Sequence, residues 1–450
     1  MTLFQDLRRI AALAAPVLAG QLAVIAFGVI DTVMAGRASA TDLAAVGLGG
    51  SIYVTIYISL MGVLQALSPI AGQLYGAGRL EAIGAEVRQA AWLGAALALP
   101  GVLLLAFPGP LLAFAKAPPE LVEKATAYLH FGAFGLPAAL AFRIYSALNN
   151  ALSRPIMVTV LQVGGLALKV PLNAWFIHGG LGVPAMGGPG CGLASTLISW
   201  TWCIAGLLIL RHGSAYHALR IFDTWSWPAA APLRALLRLG VPMGLTYLIE
   251  ITSFTLMSIF ITRLGTVTLA GHQIIANLGA VAYMLPLSLG IATSTLVAQH
   301  LGARDRTGAS RLAWRGIHLA VVLAVLTGAL LWLLRKPVLD AYASDPAVVA
   351  AALPLVLFVA FYQAFDAVQV MTAFILRAYK IALIPTVIYA GSLWGIGLGG
   401  GYVLGFGLID GMPAFTRGAS GFWLANSVSL AVAGVLLVRY FRRVSRDSES

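Results

Sequence analysis

Hydrophobic residues in this chain do not alternate with polar ones at a strand period. They run on in long stretches separated by short polar segments. A helix crossing a bilayer needs about 20 mostly apolar residues. Twelve stretches reach that length: 10–35, 47–75, 86–107, 125–150, 156–178, 190–210, 238–262, 270–298, 312–334, 348–376, 383–405 and 418–440. Continuous apolarity on this scale predicts helices, because in lipid every backbone N–H and C=O must be bonded within its own segment. Several stretches exceed the minimum, which predicts tilt or extension beyond the bilayer. Pro16, Pro69, Pro137, Pro171, Pro242, Pro286 and Pro385 fall inside or near the starts of these runs, where neighbouring helices can satisfy the freed carbonyls. The first run follows Arg8 and Arg9 as a signal peptide would, but it is too long for an h-region and eleven more follow. It is read as an uncleaved first helix.

Composition agrees: 60% of the 450 residues are hydrophobic, 10% are charged, and the mean hydropathy is +0.90. Soluble domains carry about 25% charged residues. The net charge of +12 is scattered through short loops, which is a topology signal and not a nucleic-acid-binding face. With a cytoplasmic N-terminus, inner loops and helix ends hold 19 Lys and Arg residues and outer loops hold seven, Lys116 among them. That bias places both termini in the cytoplasm. Cys191 and Cys203 make neither a disulfide framework nor a metal spacing.

The chain repeats itself at an offset of 226 residues: Pro16 with Pro242, Arg37 with Arg263, Leu43-Ala44 with Leu269-Ala270, Gln73 with Gln299, and Gly76-Ala77 with Gly302-Ala303. An even number of helices per half gives both halves one orientation, related by a pseudo-twofold axis along the membrane normal. The expected architecture is an all-α membrane protein of twelve transmembrane helices: a six-helix lobe over 1–210, a cytoplasmic linker over 211–237 and a second lobe over 238–450.

Charges within spans are functional-site candidates by default, and five stand out: Asp31, Arg143, Lys169, Glu250 and Asp366. From the helical rise, Glu250 and Asp366 both lie about 15 Å from the inner ends of their helices. Tyr362 is one turn from Asp366 on the same face. Two carboxylates at one depth beside a phenol oxygen suit a hard monovalent cation, Na⁺ included, or a shared proton. Alternatively, each acid is a neutral, hydrogen-bonded structural residue. In the first half, Asp31 and Lys169 can pair, with Asn173 one turn from Lys169 as a donor. That pair reads either as a proton-coupling element or as a fixed brace. Arg143 reads as packing near the inner end of the fourth helix, and His130, His178 and His318 as interfacial groups near helix ends. No GxSxG elbow, HExxH or P-loop is present. The chain reads as a carrier and not an enzyme, with no cofactor beyond a coupling Na⁺ or H⁺.

Several segments resemble NorM-type MATE (multidrug and toxic compound extrusion) transporters. They are Ile30-Asp31-Thr32-Val33-Met34-Ala35-Gly36-Arg37 with Leu43-Ala44-Ala45-Val46, Gln73-Leu74-Tyr75-Gly76-Ala77-Gly78, Val170-Pro171-Leu172-Asn173, Gly187-Gly188-Pro189-Gly190-Cys191-Gly192, Ala270-Gly271-His272-Gln273 and Asp366-Ala367-Val368-Gln369-Val370. The resemblance covers essentially the whole chain. It implies cation-driven antiport, by alternating access, of cationic amphiphilic drug-like compounds across a bacterial inner membrane, by a monomer. It further implies that Glu250, Asp366 and Tyr362 form the cation site of the second lobe, that Asp31 and Asn173 are the acid and its partner in the first, and that Gln273 lines the substrate cavity. The family pattern Asn-x-Pro-Leu-Asn is here Lys169-Val170-Pro171-Leu172-Asn173, which places Na⁺ binding near Asp31 in question. A family acid after the tenth helix is here Ile381, in a cytoplasmic loop. A lipid-linked saccharide flippase of the same superfamily would favour strings of Arg and Lys in its cavity to hold pyrophosphate, and only Arg143 and Lys169 are available. A membrane-embedded enzyme lacks its motifs, and a channel does not call for the repeat.

Overall fold

The computed structural model describes residues 2–115, 118–180, 182–409, 411 and 413–449; Lys116 lies outside them. Among the described residues twelve helices are long and apolar enough to cross a membrane. They are α1 (Leu3–Ala38), α2 (Ala40–Gly76), α3 (Leu80–Ala106), α4 (Pro119–Ala151), α5 (Ile156–His178), α6 (Pro189–His212), α7 (Ala230–Thr262), α8 (Thr266–Gly302), α9 (Arg306–Leu333), α10 (Pro346–Ala378), α11 (Leu383–Gly405) and α12 (Ala419–Asp447). Among the described residues the only strand-like pairing is the isolated bridge between Gly180 and Val183. The chain is a multi-pass, all-helical membrane protein.

Two compact units form, one over Ala19–Gly244 and the other from the residues up to Leu18 together with those from Leu245 onward. Their borders fall inside α1 and α7, whereas a division by chain order cuts between helices. In the first unit α4 is the central helix, packed by α2, α3 and α6 and buried almost continuously from Ala138 to Ala151. The segment after α6 docks on α3. Arg88 donates to the carbonyls of Arg220 (2.8 Å) and Ile221 (3.2 Å), Gln89 donates to Trp227 O (3.0 Å), and Trp92 packs against Trp225 and Trp227. The start of α7 stays with this unit through glycine. A Cβ on Gly240 would stand 2.2 Å from Val63 O, so only glycine permits the backbones to approach this closely.

In the second unit α10 is central, packed by α8, α9 and α12. The opening turns of α1 belong here for an electrostatic reason. Asp6 is fully buried and pairs with Arg315 and Arg311 of α9, while Ile10 enters the hydrophobic core. A buried carboxylate needs such partners. α11 departs from α-helical geometry over Ala390–Gly399, where it is π-helical. Ten such residues amid four glycines are far more than the usual single-turn bulge.

Candidate functional site

In the first unit, α1 carries Asp31, α5 carries Lys169 and Asn173, and all three side chains are buried. Lys169 Nζ lies 2.8 Å from Asp31 Oδ1, and Asn173 Nδ2 donates to the same oxygen at 2.7 Å. The geometry joins Asp31, Lys169 and Asn173, and leaves Arg143 apart from them. Lys169 has further partners that carry no sequence signal. It donates to Ser195 Oγ at 2.5 Å and to the Cys191 carbonyl at 3.2 Å, both on α6, and Phe27 presents its ring at 5.7 Å. An ammonium has three N–H donors, and each has an oxygen acceptor here.

Asp42 holds the start of α6 in place. Its carboxylate accepts from Gly188 N (2.8 Å), Lys124 Nζ (3.0 Å) and Ser39 Oγ (2.6 Å). Gly187 has φ of +62°, and a Cβ there would meet Asp42 Oδ1 at 2.6 Å, so the turn requires glycine. The motif 187–192 therefore orients the Cys191 carbonyl and Ser195 towards Lys169.

In the second unit, Asp366 on α10 is 3% exposed, and its Oδ2 has no hydrogen-bond partner among the described residues. Glu250 on α7 is half-buried and within electrostatic range of Asp366. Tyr362 is buried one turn from Asp366, edge-on to Trp423 at 5.8 Å and to Phe254 at 6.4 Å. The structure thus brings Glu250, Asp366 and Tyr362 into one neighbourhood, which also holds residues the sequence reading passed over. Tyr283 and Tyr389 lie within electrostatic range of both acids. Arg377, in the last turn of α10, is buried. It donates to Tyr247 Oη at 3.3 Å, covers the Phe374 ring at 4.5 Å and lies within range of Glu250. Gln363 Nε2 and Gln369 Oε1 are buried and have no partner among the described residues. Among the described residues no three His, Cys, Asp or Glu side chains come together. A cation held here would meet two carboxylates supplemented by neutral oxygens.

Gln273 on α8 is exposed, and Asn277 Nδ2 donates to its carbonyl at 3.0 Å. Its neighbour His272 is fully buried. Trp423 Nε1 donates to His272 Nδ1 at 3.2 Å, so the ring proton sits on Nε2, which faces Ser258 Oγ at 2.9 Å. His130 and His318 are exposed side chains within α4 and α9 and not near helix ends, because both helices begin a turn or more earlier than the apolar runs do.

Two six-span repeats with buried charges in mid-span define the class as a polytopic membrane transporter. The MatE family model matches residues 16–175 and 242–403, and the chain belongs to that family. The chain is 42% identical over 435 residues to the probable multidrug resistance protein NorM of Aromatoleum aromaticum, covering 97% of this chain and 94% of that one. It is 37% identical to the multidrug resistance protein PmpM of Pseudomonas aeruginosa, with 99% and 94% covered. Among solved structures, the eukaryotic MATE transporter AtDTX14 superposes with a TM-score of 0.88 at 19% identity, covering 99% and 98% of the chains. The bent form of the Vibrio cholerae MATE transporter VcmN gives 0.85 at 18%, again with 99% and 98% covered. These likenesses establish the fold.

Proposed function

We propose that the protein is a multidrug exporter of the bacterial inner membrane. It exchanges cationic amphiphilic compounds for H⁺ or Na⁺ by alternating access, as a monomer with both termini in the cytoplasm. The observation that carries the reading is the unpartnered carboxylate oxygen of Asp366, buried beside Glu250. A buried carboxylate without a donor is costly, and a proton, a sodium ion or the ammonium group of a substrate removes that cost. Groups that share one anionic site displace one another, which is the basis of exchange. The names of the NorM and PmpM relatives support drug-like substrates, and the excess of basic residues in alternate loops supports the orientation.

The test is ethidium transport by the purified protein in vesicles, with a Na⁺ gradient and a pH gradient imposed separately. Ethidium should move against its gradient under at least one of them. Transport indifferent to both, or absent, would overturn the proposal.

A further inference from the structure

Arg143 is the mid-span charge the proposed exchange leaves without a task. It sits on α4, 151 − 143 = 8 residues before the helix ends, so its Cα is about 12 Å in along the axis. The guanidinium is half-buried, and one Nη donates to Tyr57 Oη on α2 at 3.3 Å. Nε is buried and has no partner among the described residues. None of the ion pairs among the described residues includes Arg143, and the mid-span acid of the same unit, Asp31, is already held by Lys169. Beside it, Tyr53 and Tyr57 lie parallel with ring centroids 6.0 Å apart. At the 226-residue offset Tyr57 corresponds to Tyr283, which in the second unit lies within electrostatic range of Glu250 and Asp366. The matched tyrosines thus neighbour acids in one repeat and an arginine in the other.

A cation in a span that lacks a counterion is expensive and marks a functional place. Guanidinium donors are planar and fork-shaped, matched to a carboxylate. We propose that Arg143 and Tyr57 form an anion-recognition site for the carboxylate of exported compounds that carry both charges. The inference rests on the export reading above, because it names the part of a substrate that this unit would hold. Tyr57 holds one side of the guanidinium, leaving the remaining Nη hydrogens for the ligand's carboxylate.

The test uses a cationic rhodamine with a free benzoate and the methyl ester of the same dye. Both are measured for export by the full protein in phosphatidylcholine vesicles, with and without phosphatidylglycerol. The readout is the ratio of kcat/KM for acid over ester. Arg143→Gln should lower that ratio by about tenfold or more, since an ion-assisted hydrogen bond is lost, and Arg143→Lys should restore part of it. Where Arg143→Gln fails to fold, Tyr57→Phe should lower the ratio by about threefold. A ratio unchanged in these variants, while the ester is still exported, overturns the site and leaves the export reading standing. An effect that appears only with phosphatidylglycerol, equally for both dyes, assigns Arg143 to a lipid headgroup and overturns it too. Export of neither dye by the unaltered protein sinks both proposals.

Discussion

Replacing Lys169 by Asn restores the residue usual at that position in the resembling family, and the structure gives the size of the change. In the protein as it stands, Nζ lies 2.8 Å from Asp31 Oδ1. A sodium ion bound to the other carboxylate oxygen would lie about 4 Å from that ammonium. At that separation and an effective dielectric near 20, the repulsion is about 4 kcal/mol. Each 1.36 kcal/mol is a factor of ten, so Lys169 should weaken Na⁺ binding beside Asp31 by roughly a thousandfold. Lys169 is also hard to displace, because Ser195 Oγ and the Cys191 carbonyl occupy its other donors. The same contacts should keep it in place when Asp31 is neutralised.

The assay is Na⁺-dependent thermal stabilisation of the purified protein. Both proteins carry Asp366→Asn, so that the second unit contributes little. Wild type at position 169 should show no Na⁺ response below molar concentrations, whereas Lys169→Asn should respond in the millimolar range. Equal Na⁺ response curves for the two proteins would refute the reasoning and reduce Lys169 to a brace. A second reading comes from Lys169→Met, which strands a buried carboxylate and should destabilise the fold by about 3–5 kcal/mol.

Three further outcomes are expected. Glu250→Gln and Asp366→Asn should each abolish ethidium export while the protein still reaches the membrane, and near-wild-type transport by either would remove that acid from the site. Tyr362→Phe should weaken coupling-ion affinity severalfold without stopping transport, because one neutral oxygen is worth about 1 kcal/mol; an unchanged ion dependence would leave Tyr362 a packing residue. Outside the spans, the Gly308 N–H and His300 hold the Asp305 carboxyl below the usual carboxylate range, so the cap it makes on α9 is at full strength above that range and weakens as pH falls through the lowered value. Asp305→Ala should cost about 1 kcal/mol at neutral pH and less in acid, read by hydrogen exchange of the first turn of α9.

The twelve spans were legible because lipid demands long apolar helices, and a run of 20 such residues has few other uses. Their ends were less so. α4 starts at Pro119 and α8 at Thr266, each several residues before its apolar run, because a helix continues into the polar zone where hydropathy no longer reports it. The packing units were hidden for another reason. Chain order puts Asp6 and Ile10 with the first half, yet their partners Arg311 and Arg315 lie some 300 residues away. Nothing local in α1 announces that a single helix serves two units. Of the site, the charged residues could be found because each is an expensive exception in its span. Ser195 could not, since a serine in a span normally bonds the carbonyl one turn back and Ser195 does so as well. The Cys191 carbonyl has no side-chain signature at all. Arg377 was masked by its place near a helix end, where an arginine ordinarily reaches water; Phe374 and Tyr247 instead cover it.

Read together, these contacts give the two repeats different electrostatics on one scaffold. In the first unit Asp31 has its cation built in, tethered by four methylenes to α5 and saturated by Asp31, Ser195 and the Cys191 carbonyl. In the second unit Asp366 has no such group, and a buried oxygen is left open. A mobile cation gains most where no fixed one competes, so coupling-ion binding should concentrate at Asp366, since Arg377 lies in range of Glu250 and not of Asp366. The first unit would then respond to changes in the charge of Asp31 itself, with Lys169 as a fixed reference. That division requires no difference in backbone between the repeats. It follows from one lysine at 169, held by a serine and a carbonyl that the Asp42 turn positions.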